Sequence, residues 1–494
     1  MKKGLTTPNL PLLLAEVLVF AVCAVIASSH FGMADGLKIT LAYLVAYLVP
    51  RTVLHHARGV SLPACVVLLV LAASLMVVDY LRLVEWTSVD GYSLRLPNLE
   101  GDPRKYYKWA LFHYDGSAPW EKVIFPGFPG MIYCLFKVFG VSVVWPQALN
   151  LMFTLTSVVL TGMTTRRLLY HRVKASPETL LFGGMLLYLA LAYNLMMGIS
   201  LLKEASIYLA ITLAGFALSS MAAHDDERFR LWRDIALMAL ACAIMGAVRT
   251  TYLYLVLVGI VVMVLPHLRR DWGMALAMLA MVAVALLVGT HFAAYSFDRH
   301  AKIVDGGWNM QRFYVIRGTQ GFYRDVIGYY FLYSPLHRAA MLPLTLSIQF
   351  FNPFPWATGG DVTLFEWLCR LSYPWYLFGG VGLFYYFVIS WRRGENMGIW
   401  AWWPAISYIM LAYVMAGSVA RYVLPVQPLF IPVVMFVLCR LFVGRFRKAF
   451  TWWMVVFVIL VSAVLLSCLE LQEQAISKAL HVPPLVEYVK GLLH

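Results

Sequence analysis

Charged side chains are scarce in this chain, and several familiar motifs are missing. Asp, Glu, Lys and Arg make up 13% of the 494 residues, whereas soluble domains average about 25%. A soluble globular fold is therefore excluded. The seven cysteines form no CxxC pair and no metal-type spacing, so we interpret them as free thiols in the apolar core. The chain also lacks an Asn-x-Ser/Thr sequon, which favours a bacterial source.

Hydrophobic residues dominate what is present. They account for 61% of the chain, and the mean hydropathy is +0.74. A helix needs about 20 apolar residues to cross a bilayer. On that criterion we predict an all-α polytopic membrane protein with about thirteen transmembrane helices. The predicted spans are 9–29, 37–54, 62–84, 143–163, 178–198, 205–222, 234–248, 250–266, 272–293, 365–391, 398–416, 422–442 and 451–469, and 234–266 could instead be one kinked helix.

The net charge of +14 is compatible with a nucleic-acid partner, but the distribution of the basic residues argues against one. The basic residues are scattered between hydrophobic runs and form no continuous patch, so we expect no nucleic acid. They cluster instead in alternate connections, which are retained in the cytoplasm by the positive-inside rule. With a cytoplasmic N-terminus these clusters all fall inside: Arg51 and Arg58; Arg166, Arg167, Arg172 and Lys174; Arg228, Arg230 and Arg233; Arg269 and Arg270; Arg392 and Arg393; Arg445, Arg447 and Lys448.

The same alternation predicts the domain organisation. The outer face of a bacterial inner membrane, which is the periplasmic face, receives two long polar segments and a C-terminal tail. The tail alternates apolar and charged residues and could lie flat on the bilayer. The predicted regions are an N-terminal extra hairpin (1–61), a core (62–293) that contains the first outer loop (85–142), an outer region (294–364), C-terminal helices (365–469) and the amphipathic tail (470–494).

Three basic residues break the charge rule because they lie at predicted outer span ends: Lys203, Arg249 and Arg421. A charge at such a position is expensive unless it is paired or hydrated. Snorkelling to lipid headgroups would explain each of them singly. Taken with the basic residues of the first outer loop, they indicate a site for an anionic headgroup such as a lipid phosphate. The loop residues concerned are Arg104, Lys105 and Lys122.

The first outer loop also carries the candidate acids. Asp102 is followed by Arg104 and Lys105, so its carboxylate stays ionised and could accept a proton from an attacking hydroxyl. Alternatively, Asp102 caps a short helix with Pro103 at its first position, which is compatible with a catalytic role. Residues 125–129 are predicted to form a turn that leads into an interfacial helix over 130–140. The rival acids are Asp90, Glu100 and Asp115 in the same loop, and Asp79 near the end of a span.

These features together resemble the GT-C superfamily of integral-membrane glycosyltransferases. The Gly-Asp-x-x-x-Tyr pattern of Gly101–Tyr106 and the following proline-rich segment are similar to those of the protein O-mannosyltransferase and aminoarabinose-transferase type. Phe125–Gly140 resembles the Pro-x-x-Pro segment of that group, Ser200–Leu218 its Ser-Glu helix start, and Arg421–Pro428 its Arg-Tyr-x-x-Pro helix. The resemblance covers roughly residues 62–442.

The resemblance implies an inverting transfer of a sugar from a polyprenyl-phosphate donor, such as undecaprenyl phosphate, on the outer face. Asp102 would be the catalytic base, and no metal or cofactor is expected. The acceptor, whether lipid, glycan or protein, stays open. Pro103 stands where the mannosyltransferase branch has a second acid, which leaves the subfamily open too. The implied donor-phosphate ligands are Arg104, Lys105, Arg249 and Arg421, and the implied substrate contacts are Tyr106, Lys122, Lys203, Glu204 and Tyr422.

Two other functions fit parts of the pattern. An O-antigen polymerase or ligase also carries outer basic residues and a long late outer loop, but uses a lipid-pyrophosphate donor. A lipid or solute transporter would place ionisable residues at the membrane midplane and show symmetrical halves. The sequence shows neither of these two features, so a transporter is the weaker alternative.

Overall fold

The computed structural model describes a chain built from helices. No strand occurs within the described residues. The fold is therefore that of a helical membrane-embedded protein, as the composition predicts. The described residues are 10–57, 60–117, 127–222, 231–249, 252–264, 373–390, 397–414, 424–441 and 447–459, with single residues between 273 and 287 and at 462.

We number the helices in chain order. A π-helical turn, Tyr385–Ser390, continues α12, and a 3-10 turn, Leu424–Val426, precedes α14. The helices are α1 Leu10–Phe31, α2 Met33–His55, α3 Leu62–Thr87, α4 Gly101–Tyr114, α5 Gly127–Phe139, α6 Val144–Leu169, α7 Pro177–Leu189, α8 Ala192–Ile199, α9 Glu204–Ala222, α10 Leu231–Val248, α11 Leu253–Val264, α12 Tyr373–Phe384, α13 Met397–Val414, α14 Gln427–Arg440 and α15 447–459.

Four of the described helices are long and apolar enough to cross a membrane: α1, α2, α3 and α6. They coincide with the predicted spans 9–29, 37–54, 62–84 and 143–163. The predicted span 178–198 corresponds to α7 and α8, which are bent by 72° at a short break, so the described residues hold up to five spans. Hydropathy located these segments correctly because each is a long uninterrupted apolar run.

The later predicted spans are only partly described. Those at 205–222, 234–248, 250–266 and 398–416 overlap α9, α10, α11 and α13, which are not among the candidate spans found within the described residues. Because α10 and α11 are separate helices, the single kinked helix considered over 234–266 is wrong. The spans at 365–391, 422–442 and 451–469 are described only in part. Most of 272–293, the outer region 294–364 and the tail 470–494 lie outside the described residues.

The chain divides into two compact units. The first contains Met1–Arg166, Ala175–Phe216 and Ala247–Arg249. In it, α1 and α2 form a hairpin in which Tyr47 and Arg51 both donate hydrogen bonds to Glu16 Oε1, at 2.7 and 2.8 Å. Only 17% of the apolar stretch of α1 is buried, against 83% for α6, so α1 is peripheral and α6 is central.

The second unit contains Arg167–Lys174, Ala217–Gly246 and Thr250–His494. Its helices are linked by indole N–H groups: Trp403 donates to the carbonyl of Leu255 at 2.8 Å, and Trp400 to that of Leu429 at 3.0 Å. Arg440 Nη2 donates to the carbonyl of Arg172 at 3.0 Å. This bond joins two segments that the charge pattern assigns to the same face.

The free-thiol prediction holds for the cysteines that the structure describes. Cys23, Cys65, Cys134, Cys242 and Cys439 are all unpaired. Cys134 is exposed on α5, so its assignment to an apolar interior is wrong.

Candidate functional site

Helix α4 carries the candidate base in its first turn. Gly101 adopts a φ of +64°, a conformation that glycine reaches without strain, and the helix begins there. Glu100 is the N-cap residue and its side chain makes no capping hydrogen bond, so the interpretation of Asp102 as the cap is wrong. Asp102 lies instead within the first turn, where a carboxylate is stabilised by the helix dipole.

Tyr107 fixes α4 against the rest of the first outer loop. Its ring is buried and meets Phe136 of α5 edge-on at 5.3 Å, while its hydroxyl donates to the carbonyl of Arg95. Burial raises the pKa of Tyr107, so the hydroxyl stays protonated and remains a donor. The loop is tied down further because the N–H of Val143 donates to the carbonyl of Leu94 at 2.8 Å.

Helix α5 begins at Gly127, so the turn predicted over 125–129 is wrong for residues 127–129, while residues 125 and 126 are not described. Pro129 fits the first turn because a helix needs no N–H there. Phe128 meets Tyr106 edge-on at 5.5 Å, and Lys137 lies 4.7 Å from the ring of Tyr114. Tyr106 thus contacts the N-terminal end of α5, whereas Tyr107 and Tyr114 contact Phe136 near its C-terminal end.

Lys203 and Glu204 bring two buried charges close to Tyr106, beside the N-terminal end of α5. Lys203 is 8% exposed, and its carbonyl accepts the hydrogen bonds that start α9. Its Nζ lies 5.6 Å from the centre of the Tyr106 ring, a cation–π contact that offsets part of the cost of burial. Glu204 is 3% exposed, and its Oε2 has no hydrogen-bond partner among the described residues. Buried charges of this kind are candidates for a functional site.

Arg249 follows a segment whose backbone lies close to the N-terminal end of α5. It directly follows α10, is half-buried, and marks the predicted interruption of the hydrophobic run. A Cβ atom on Gly127 would overlap the backbone of Ala247, so only glycine allows this contact between α5 and the end of α10. The structure therefore brings together three segments that the sequence assigns separately to the outer face.

We call Asp102, Tyr106, Phe128, Lys203 and Arg249 the α4 site. Asp102 and Tyr106 are half-buried and lie one turn apart on one face of α4, since residues four apart are neighbours on a helix. The structure places the other candidates of the loop differently: Arg104, Lys105, Asp90, Glu100 and Asp115 are exposed.

The remaining sequence candidates divide into two groups. Asp79 is fully buried within α3 and is not part of the exposed loop. Lys122, Arg421 and Tyr422 lie outside the described residues. Within the residues that the structure describes, no group of three or more His, Cys, Asp and Glu side chains could hold a metal ion.

Sequence reasoning missed two residues that position the site. On α6, Asn150 Nδ2 donates to the carbonyls of Ser200 and Leu202 at 2.7 and 2.8 Å, and Gln147 Nε2 donates to that of Ile199. These bonds hold the segment that ends at Lys203. A signal existed, because polar residues recur every three or four positions along the predicted span: Gln147, Asn150, Thr154, Ser157, Thr161 and Thr165.

Comparisons with known proteins add no constraint to this geometry. No family model, curated protein or solved structure matches the chain.

Proposed function

We propose that the protein is an integral-membrane glycosyltransferase of GT-C type. It moves a sugar from a polyprenyl-phosphate donor to an acceptor hydroxyl at the outer face of a bacterial inner membrane, within a bundle of about thirteen transmembrane helices. One observation carries the proposal: the buried ammonium of Lys203 lies against Tyr106, one helical turn from the carboxylate of Asp102. An acid beside a buried cation is what the transfer requires.

The reaction is a single displacement. The acceptor oxygen attacks the anomeric carbon, its proton passes to Asp102, and the bond between that carbon and the phosphate oxygen breaks. The lipid phosphate leaves with the electron pair, and cations hold its developing charge. A single displacement inverts the anomeric centre, as in inverting glycosidases.

Lys203 and Arg249 are the best candidates for the phosphate ligands. Lys203 is buried and Arg249 is half-buried, whereas Arg104 and Lys105 are exposed to solvent. A buried cation interacts more strongly with an anion than an exposed one because less water screens it. Arg104 and Lys105 then act at the rim of the site, where screened charges guide the donor towards it.

The test compares two aspartates at opposite ends of α4. It uses full-length protein in nanodiscs. Asp102→Asn keeps the shape and removes the base, while Asp115→Asn changes an exposed residue just beyond the helix. We expect Asp102→Asn to lower transfer from polyprenyl-phosphate sugars by about 10²–10⁴-fold with an unchanged melting temperature. Asp115→Asn should transfer at the wild-type rate.

Two outcomes would count against the proposal. Full activity of Asp102→Asn would remove Asp102 as the base. Activity with a lipid-pyrophosphate donor that depends on Arg249 but not on Asp102 would favour an O-antigen polymerase or ligase.

A further inference from the structure

A second buried acid lies deeper in the first unit, away from the exposed loop. Asp79 of α3 is fully buried, and its Oδ1 accepts a hydrogen bond from Gln147 Nε2 at 2.9 Å. The same nitrogen donates to the carbonyl of Ile199, so both N–H groups of the Gln147 amide are used. Asp79 and Gln147 are thereby locked in a fixed relative orientation.

Three polar atoms of Asp79, Gln147 and the nearby Tyr43 have no hydrogen-bond partner among the described residues. They are Asp79 Oδ2, Gln147 Oε1 and the hydroxyl of Tyr43, and all three side chains are fully buried. Tyr43 of α2 lies close enough to Asp79 to interact with it electrostatically. Each unsatisfied buried polar group costs about 1–3 kcal/mol. Two such atoms on one hydrogen-bonded pair, with a third within electrostatic range of it, mark a candidate site for a small ligand.

The charge of Asp79 is also uncompensated. None of the ion pairs between described residues involves Asp79. Arg82, almost one turn further along α3, acts on Asp79 only at a distance and is half-exposed. Of the neighbouring helices, α8 has no charged residue, and Glu178 in the first turn of α7 is exposed. An isolated ionised carboxylate in such a place is prohibitively costly.

We propose that Asp79, Gln147 and Tyr43 form a buried binding site for one small cation, either a proton or Na⁺. A proton on Asp79 Oδ2 would donate to Gln147 Oε1 and close a cyclic acid–amide pair, which satisfies two of the orphan atoms. Na⁺ would instead take both oxygens and the Tyr43 hydroxyl as hard oxygen ligands. Either cation neutralises the carboxylate.

The site is linked to the segment before Lys203. Gln147 holds the carbonyl of Ile199, and Asn150 holds the next carbonyls of the same segment. A cation that fixes the Gln147 amide therefore also stiffens the approach to the α4 site. The inference does not depend on the proposed transferase activity.

The test uses full-length protein in nanodiscs, without substrate. Infrared spectra are recorded for wild type, for wild type labelled with ¹³C-carboxyl aspartate, and for Asp79→Asn. Thermal unfolding of wild type and Asp79→Asn is measured in NaCl and in choline chloride at matched ionic strength. Thr161→Val is the control, because its hydroxyl bonds only the carbonyl of Ser157 in its own helix.

A proton predicts the carbonyl stretch of a neutral carboxylic acid in the wild type. The band would shift with the ¹³C label and disappear in Asp79→Asn. It would remain in Thr161→Val and would be the same in NaCl and in choline chloride. Na⁺ predicts no such band, but a melting temperature that NaCl raises by a few degrees in wild type and Thr161→Val and leaves unchanged in Asp79→Asn. If wild type shows neither the carboxylic-acid band nor a rise in melting temperature in NaCl, the proposal is overturned by wild type alone. A response to NaCl of equal size in Asp79→Asn would also overturn it.

Discussion

Helices α1 and α6 are both long enough to cross a membrane, yet they have opposite surroundings. The apolar stretch of α1 is 17% buried, and Leu14 and Leu18 stand exposed on it. That of α6 is 83% buried and carries a stripe of polar residues. A peripheral span needs apolar side chains outward, whereas a central span can carry polar ones because its neighbours supply partners.

The stripe on α6 itself has two parts. From Thr154 to Thr165 its hydroxyl groups donate to carbonyls one turn back in the same helix. Gln147 and Asn150 donate to other segments instead. Gln147 and Asn150 therefore hold the segment before Lys203, whereas the hydroxyl groups further along donate within α6.

The largest predicted effect comes from removing the Asn150 amide. Asn150→Leu leaves the carbonyl of Leu202 without its side-chain donor and the carbonyl of Ser200 with only the N–H of Leu202, which should cost about 2–4 kcal/mol in the free energy of unfolding. Thr161→Val removes a hydroxyl that bonds only its own helix and should cost less than about 0.5 kcal/mol. Denaturant unfolding in detergent measures both. Equal losses would show that the two parts of the stripe do not differ.

A middle-sized effect is expected where α5 meets the end of α10. Gly127→Ala forces a methyl group into the backbone of Ala247 and should cost about 1–3 kcal/mol. Cys134→Ala changes the exposed side of the same helix and should be nearly neutral. Thermal melting of the two variants side by side separates them. A neutral Gly127→Ala would mean that the close approach does not occur.

The smallest effect is predicted for the periphery. Leu14→Ala on α1 removes a side chain that is 60% exposed and should change the free energy of unfolding by less than about 0.5 kcal/mol. The matched change Leu151→Ala, at a fully buried position of α6, should cost about 2–5 kcal/mol. Similar losses for both would place α1 inside the protein and erase the contrast between the two helices.

Local signals in the sequence predicted the parts of this molecule that depend on short stretches. Hydropathy located the four long spans. The charge pattern predicts one face for Lys203, Arg249 and Asp102, and the structure places Lys203 against Tyr106, one turn from Asp102. The turn over 125–129 failed because proline and glycine suit the first turn of a helix as well as a turn. Asp79, Gln147 and Asn150 were missed as a group because their bonds join residues about 50–70 positions apart.

Native mass spectrometry of the protein released from its own membranes tests directly whether Lys203 binds the phosphate of a polyprenyl-phosphate lipid. Lys203→Met removes the buried charge at nearly constant length, and Lys105→Met removes an exposed charge on α4. We expect a bound polyprenyl-phosphate lipid on wild type and on Lys105→Met, and its loss from Lys203→Met. Absence of such a lipid from wild type, or its equal retention by Lys203→Met, would rule out Lys203 as a ligand of the donor phosphate.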